Sequence, residues 1–371
     1  MAESREDDQL HFEALGIFDP VLHDEDHLRL LRYLVAHGAD DSDLVSAARN
    51  DRLGSLGLDL AVSRVARLTF ADAAAAAGLD IEAAGRLWRA LGFPDPASDP
   101  PKLPPDAAHA LEFMGTTAAN VIGSETTLAL ARVLGTATSR LAEAVVDAFR
   151  MKFQAPLSTQ GRPYSEVVEG YAQLADALLP EFTKVLSAIF GRHMVAVASR
   201  TWSLDADRAT SQRELVVGFI DLVGYTTVSA ILSSRELAHL LGRFEAIVDD
   251  VVETHGGRLV KHLGDGAMFV SDDSGSACRI AIDLLAALGA DRQLPPARVG
   301  LAAGLVVALH GDYQGPVVNI AARLLGAAPP SAVVVDEEVR RTAGGSFRFE
   351  LHHAGALKGF STPPPMFILQ L

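Results

Sequence analysis

Residues 214–221 read ELVVGFID, a short apolar run rich in β-branched and aromatic side chains that closes on an acid. Continuous apolar character over so few residues marks a strand buried on both faces, which places Asp221 at a strand end. Outward from it, residues 234–256 (SRELAHLLGRFEAIVDDVVETHG) repeat apolar side chains at helical period and stop at glycine, the pattern of an amphipathic helix. Residues 257–270 (GRLVKHLGDGAMFV) predict two strands joined by a tight Gly-Asp-Gly turn that holds Asp265. A second helix (274–288), a long strand (297–309), the stretch DYQGPVVNIAARL (312–324) and AVVVDEEV (332–339) complete a run of strands alternating with helices. Residues 214–371 are therefore expected to form an α+β or α/β domain with helices on one or both faces of its sheet.

The first half has a different texture. Residues 1–202 are rich in Ala, Leu, Asp, Glu and Arg at helical period and lack β-branched alternation, so an all-α domain is expected there. The proline-dense FPDPASDPPKLPP (93–105) divides it, because closely spaced prolines exclude helix interiors. Tyr171, Leu174, Leu178, Phe182, Val185 and Ile189 form one apolar stripe, with a kink expected at Pro180. Such a stripe packs within the chain or against a second copy. The polar residues 203–213 read as an interdomain linker. Residues 68–94, with Arg86, Trp88 and Arg89 after a Gly-Leu-Asp turn, have the look of a helix-turn-helix, which makes a DNA-binding regulator the alternative from another class; a helical hairpin used for packing is the plainer reading.

A chain of 371 residues suggests two domains, each able to bury a core. No apolar run is long enough to span a bilayer, and the acidic start MAESREDDQL is unlike a secretory signal. The single cysteine, Cys278, cannot form an internal disulfide, which suits a reducing cytoplasm, the expected location. A net charge of −15 opposes phosphate backbones and anionic membranes at long range, so no nucleic-acid partner is expected for the chain as a whole.

Reactive side chains gather in the second half. Asn319 and Arg323, four apart, share one side of a helix, and Asp312 precedes the Asn by seven residues. Asp221 is followed by the glycine-containing loop LVGYTT, which carries Leu222, Gly224, Tyr225 and Thr226; Asp265 follows in the hairpin turn. Two carboxylates at strand edges beside backbone N–H groups are what a divalent cation and a polyphosphate require. The stretches GFIDLVGYTT, VKHLGDGAMFV and GDYQGPVVNIAARL resemble, in order and spacing, the three signature segments of class III adenylyl cyclases.

The resemblance implies a ferredoxin-like, palm-type α+β catalytic domain over 214–371. Asp221 and Asp265 correspond to the family's metal-binding carboxylates, with the Leu222 carbonyl as a further ligand, for two divalent cations (Mg2+ or Mn2+) per site. Gly224, Tyr225 and Thr226 fall in the substrate loop, where phenylalanine is commoner than Tyr225. Lys261 and Asp312 correspond to the pair that reads the base, and Asn319 and Arg323 to the pair that holds the ribose and stabilises the transition state. Arg298 and Lys358 fall where the family places positive charge around the leaving phosphates. Adenine presents an acceptor at N1 beside a donor at N6, which matches a lysine and an aspartate; guanine presents the reverse, so ATP is the expected substrate. The expected product is 3′,5′-cyclic AMP, formed in sites shared across a homodimer. A cyclase-like signalling protein without activity is the alternative within the family. The helical half resembles the regulatory domain of soluble actinobacterial adenylyl cyclases, some of which respond to acidity. A proton signal, with His193 near the linker as one candidate, and a lipid-sized pocket among residues 106–200 are expectations for it.

Overall fold

The computed structural model describes residues 2–63, 68–97, 102–154, 161–201, 212–353 and 365–370. Two compact units divide the chain, Met1–Trp202 and Ser203–Leu371. Of the expected linker, residues 203–211 lie outside the described residues.

Apart from one antiparallel pairing of Leu68–Thr69 with Lys102–Leu103, the described elements of the first unit are helical. Helices Glu25–Ala36, Asp41–Arg49 and Leu53–Val62 bury Leu31, Leu34, Leu44 and Leu56 in a first core. Side chains start them: Asp24 accepts from the His27 N–H, and Asp40 from the Asp43 N–H in a reciprocal capping box. Lys102 reaches back to the same helix start, with its Nζ 2.6 Å from Asp40 and 2.9 Å from Asp43. A second core joins Phe70–Ala76, Ile81–Ala90, Pro105–Glu112 and Ser124–Phe149 through Phe70, Leu87, Trp88, Leu103, Leu111 and Ala131. The proline-rich stretch ends in that core, since Pro105 opens a helix in the first turn, where its missing N–H costs nothing. Trp88 is buried, stacked on Phe93 with ring centroids 4.1 Å apart, so in the helix pair of residues 68–94 it serves packing. The long helix Tyr164–Thr201 continues through Pro180. Its first turns bury Val167, Val168 and Ala172, whereas Phe182, Val185, Ile189, Phe190 and Met194 stay exposed in the single chain.

The second unit is the expected α+β arrangement. Its strands are β1 (Gln212–Leu222), β2 (Arg258–His262), β3 (Gly266–Ser271), β4 (Ala297–Leu309), β5 (Asp312–Gln314), β6 (Val333–Asp336), β7 (Phe349–His352) and β8 (Met366–Leu369). Its helices are α1 (Tyr225–Ser229), α2 (Ser234–Thr254), α3 (Ser274–Ala290), α4 (Pro316–Ala327) and α5 (Glu337–Thr342). The eight strands form one sheet in the order β2-β3-β1-β4-β6-β8-β7, with β5 folded back on β4. All pairings are antiparallel except β4 with β6.

Alternation along β1 divides the core. Val216, Ile220 and Leu222 face a layer built with Phe244 and Val248 of α2 and Ile280 and Leu284 of α3. Leu215, Val217 and Phe219 join Val317, Ala321 and Leu324 of α4. Fully burying each such Leu, Val or Phe contributes about 1.5–3 kcal/mol before entropy is counted. Two glycines set the layer spacing by lacking a side chain. A Cβ on Gly218 would lie 2.2 Å from the Phe269 ring, and one on Gly300 would lie 2.2 Å from the Leu325 backbone nitrogen. Helix α4 therefore rests directly on β4. The stretch AVVVDEEV divides in two: the strand stops at Asp336, whose carboxylate accepts the Val339 N–H and starts α5. Strands β7 and β8, which sequence patterning did not predict, extend the sheet beyond β6.

Candidate active site

Asp221 is the penultimate residue of β1, flanked across the sheet by Gly266 of β3 and Arg298 of β4. By alternation its side chain lies on the α4 side of the sheet, with Phe219 and Val217. Arg298 donates from Nη2 to Asp221 Oδ2 at 2.9 Å and from Nε at 3.3 Å. The expectation for Arg298 was a place among leaving phosphates; in the structure it sits on an acid, and register alone puts it there.

Asp265 occupies the turn between β2 and β3, where its carbonyl accepts the Leu222 N–H at 3.0 Å. That bond closes the tip of the hairpin onto the end of β1. Burial raises the Asp265 carboxyl above the usual carboxylate range, and the neighbouring Asp221 carboxylate adds to the rise. Two acids set side by side at these segment ends form a hard-oxygen donor set suited to a divalent cation. The residues present fit the cations implied by the sequence, with Arg298 now supplying the positive charge beside Asp221. Among the described residues no group of three or more His, Cys, Asp or Glu is arranged to hold a metal, so the cation would depend on these two acids, backbone oxygen and substrate.

Gly224 adopts a left-handed backbone at φ 79° and caps the short helix α1, with the Thr227 N–H donating to its carbonyl at 3.0 Å. Glycine takes that conformation at little cost. Tyr225 packs its ring against the α2/α3 layer, while Thr226 is exposed.

Lys261 and Asp312 form a direct ion pair across 51 residues of sequence. Two local devices produce it. A bulge shifts the β2–β3 register between Leu259 and Lys261, so the extra residue Val260 re-aims the lysine. The β4–β5 hairpin, turning through left-handed His310 and Gly311, brings Asp312 back opposite Leu309. His262, for which the sequence suggested no role, bonds Asp249 of α2 at 3.0 Å and so ties the strand beside Lys261 to a helix. Strand alternation, which turns His262 away from its neighbour, was the available signal.

Asn319 and Arg323 lie one turn apart on α4, the helix whose opposite side packs Val317, Ala321 and Leu324 against the sheet. Asn319 is exposed and Arg323 half-buried. Lys358 lies outside the described residues. The structure thus joins Asp221 to Arg298, sets Asp265 beside them, joins Lys261 to Asp312, and carries Asn319 and Arg323 on a separate helix.

Residues 208–370 match the adenylate and guanylate cyclase catalytic domain family. Over 290 residues, 77% of this chain and 74% of the other, the sequence is 37% identical to an adenylate cyclase of Streptomyces coelicolor. An uncharacterised protein of Mycobacterium tuberculosis is 33% identical over 98% of this chain and 95% of its own. A pH-sensitive adenylate cyclase of M. tuberculosis is 28% identical over 72% of this chain and 68% of its own. With the signature stretches folded as described, the chain belongs to the class III adenylate and guanylate cyclases, in the actinobacterial adenylate cyclase group.

Proposed function

We propose that the chain converts ATP to 3′,5′-cyclic AMP and pyrophosphate in sites shared between two copies. The observation that carries this is the pairing of Lys261 with Asp312 on the same sheet whose neighbouring segment ends hold Asp221 and Asp265. Lys261 donates to adenine N1 and Asp312 accepts from the N6 amino group, so the ion pair opens to admit the base. Asp221, Asp265 and the Leu222 carbonyl would hold two divalent cations, which would supply the positive charge that acidifies the attacking hydroxyl and offsets the triphosphate. Gly224, Tyr225 and Thr226 cradle the phosphates, and Arg298 turns from Asp221 towards them, joined by Lys358.

Asn319 orients the ribose so that its 3′-oxygen lies in line with the α-phosphorus. As that oxygen bonds to phosphorus, the bond to the β-phosphate oxygen breaks, pyrophosphate departs and the hydroxyl proton is released. Arg323 faces the charge that gathers on the α-phosphoryl oxygens. The acids of one copy serve with Lys261, Asp312, Asn319 and Arg323 of the other, so each chain contributes to both sites. The exposed stripe of Phe182, Val185, Ile189 and Phe190 supports a dimer through the helical unit, which we place in a regulatory role.

Mixing the inactive variants Asp265→Asn and Arg323→Ala tests the arrangement. In a shared-site homodimer each mixed pair rebuilds one intact site, and activity recovers to about a quarter of wild type. Recovery of nothing, with both variants dimeric and folded, refutes the sharing. Wild-type activity independent of added metal, or with GTP as the better substrate, refutes the chemistry. The regulatory role is tested by comparing cyclase rate against pH for the full chain and for residues 205–371. Superimposable profiles dismiss it.

A further inference from the structure

In the helical unit, Ile81–Ala90 and Ser124–Phe149 border a solvent-open cavity of about 520 Å³. Three arginines line it, Arg86, Arg89 and Arg132, together with Leu128 and Thr136. Such a concentration of positive charge stands out in a chain of net charge −15. Arg86 spends one nitrogen on Glu82 at 2.7 Å and Arg89 one on Asp95 at 3.3 Å. A guanidinium carries more N–H donors than a single carboxylate oxygen takes up, so both keep donors for a ligand. Arg132 has no carboxylate partner among the described residues.

The cavity is held in shape by backbone contact. A Cβ on Gly135 would lie 2.4 Å from the Leu91 carbonyl oxygen, so the two helices meet with nothing between them. Three of the last carbonyls of Ile81–Ala90 are already taken up by the chain that follows. Leu87 accepts from the Leu91 N–H at 2.9 Å, Trp88 from the Phe93 N–H at 3.3 Å and Arg89 from the Gly92 N–H at 3.0 Å. A volume of about 520 Å³ exceeds what a bare phosphate fills and falls in the range of small-molecule sites. Ala90 and Leu128 add apolar surface beside the arginines.

We propose that this cavity binds a small organic phosphate. Its phosphoryl oxygens are taken by Arg86, Arg89 and Arg132, and its carbon body lies on Leu128. Planar guanidinium donors match phosphoryl geometry, and concavity favours a compact ligand over a duplex, whose recognition would use a protruding surface.

The test is calorimetric titration of the full chain with glucose 6-phosphate in EDTA, with glucose as the uncharged control. Saturable binding of the ester and none of the sugar is expected. Arg132→Gln and Arg86→Gln each weaken it about tenfold or more, and Arg298→Gln leaves it unchanged. Arg86 and Arg132 are exposed, and an unchanged melting temperature verifies that the variants are folded. The proposal is overturned if glucose 6-phosphate fails to bind, or if Arg298→Gln abolishes binding that Arg132→Gln leaves intact. Displacement of the ester by duplex DNA, with DNA binding lost in Arg132→Gln, would reassign the site to nucleic acid.

Discussion

Asp265 carries two opposing demands, since the charge that suits it to a cation is costly where it stands. Its carboxyl is raised, so the folded chain holds that proton more tightly than the unfolded chain does. The ionised form is therefore penalised by folding, and the penalty appears as pH rises past the ordinary carboxylate range and through the raised value. Asp265→Asn should melt higher than wild type at neutral pH in EDTA, with the difference vanishing in acid, while metal-dependent cyclisation is lost. Lys261 makes a different commitment, to a pattern of donors and acceptors. Lys261→Glu should erase the preference for ATP over GTP by about a hundredfold in kcat/KM, because the site would then present two acceptors to adenine. The types and spacing of these residues were legible in the sequence. The Arg298–Asp221 bond was not, because it depends on cross-strand register between segments 77 residues apart.

At the level of elements, α4 owes its seat to Gly300. Gly300→Ala puts a methyl group against the backbone of Leu325, and the helix bearing Asn319 and Arg323 must move. A loss of about 1–3 kcal/mol in stability is expected. Thermal melting and steady-state kinetics together check it, since displacement of the helix should depress kcat beyond what the stability loss explains. The runs forming β1, β3 and β4 were readable because strands buried on both faces are continuously apolar. Short β5 and the C-terminal β7 and β8 carry too few residues for a period to show, and the Val260 bulge breaks alternation without any Gly or Pro to mark it. Inside the helical unit, Lys102 links a two-residue strand to a helix start. Lys102→Ala should cost on the order of 1 kcal/mol, a modest figure because Asp40 is well exposed. Pairing lowers the Asp40 carboxyl from its ordinary 3.8, so this contribution is present above that pH and lost as pH falls through the lowered value. Urea titrations of both proteins at neutral and strongly acidic pH measure the difference.

Across the whole molecule, two units with separate cores share one chain, and their opening can be followed separately. The only cysteine lies in the cyclase unit, fully enclosed on α3, and burial pushes its thiol up to about 12. In the closed fold Cys278 is neither ionised nor reachable, so a water-soluble alkylating agent should modify it only in molecules whose α3 has left the sheet. Consumption of the thiol becomes a clock for the excursions of the half of the protein that carries it. Saturating ATP with a divalent cation should slow that clock.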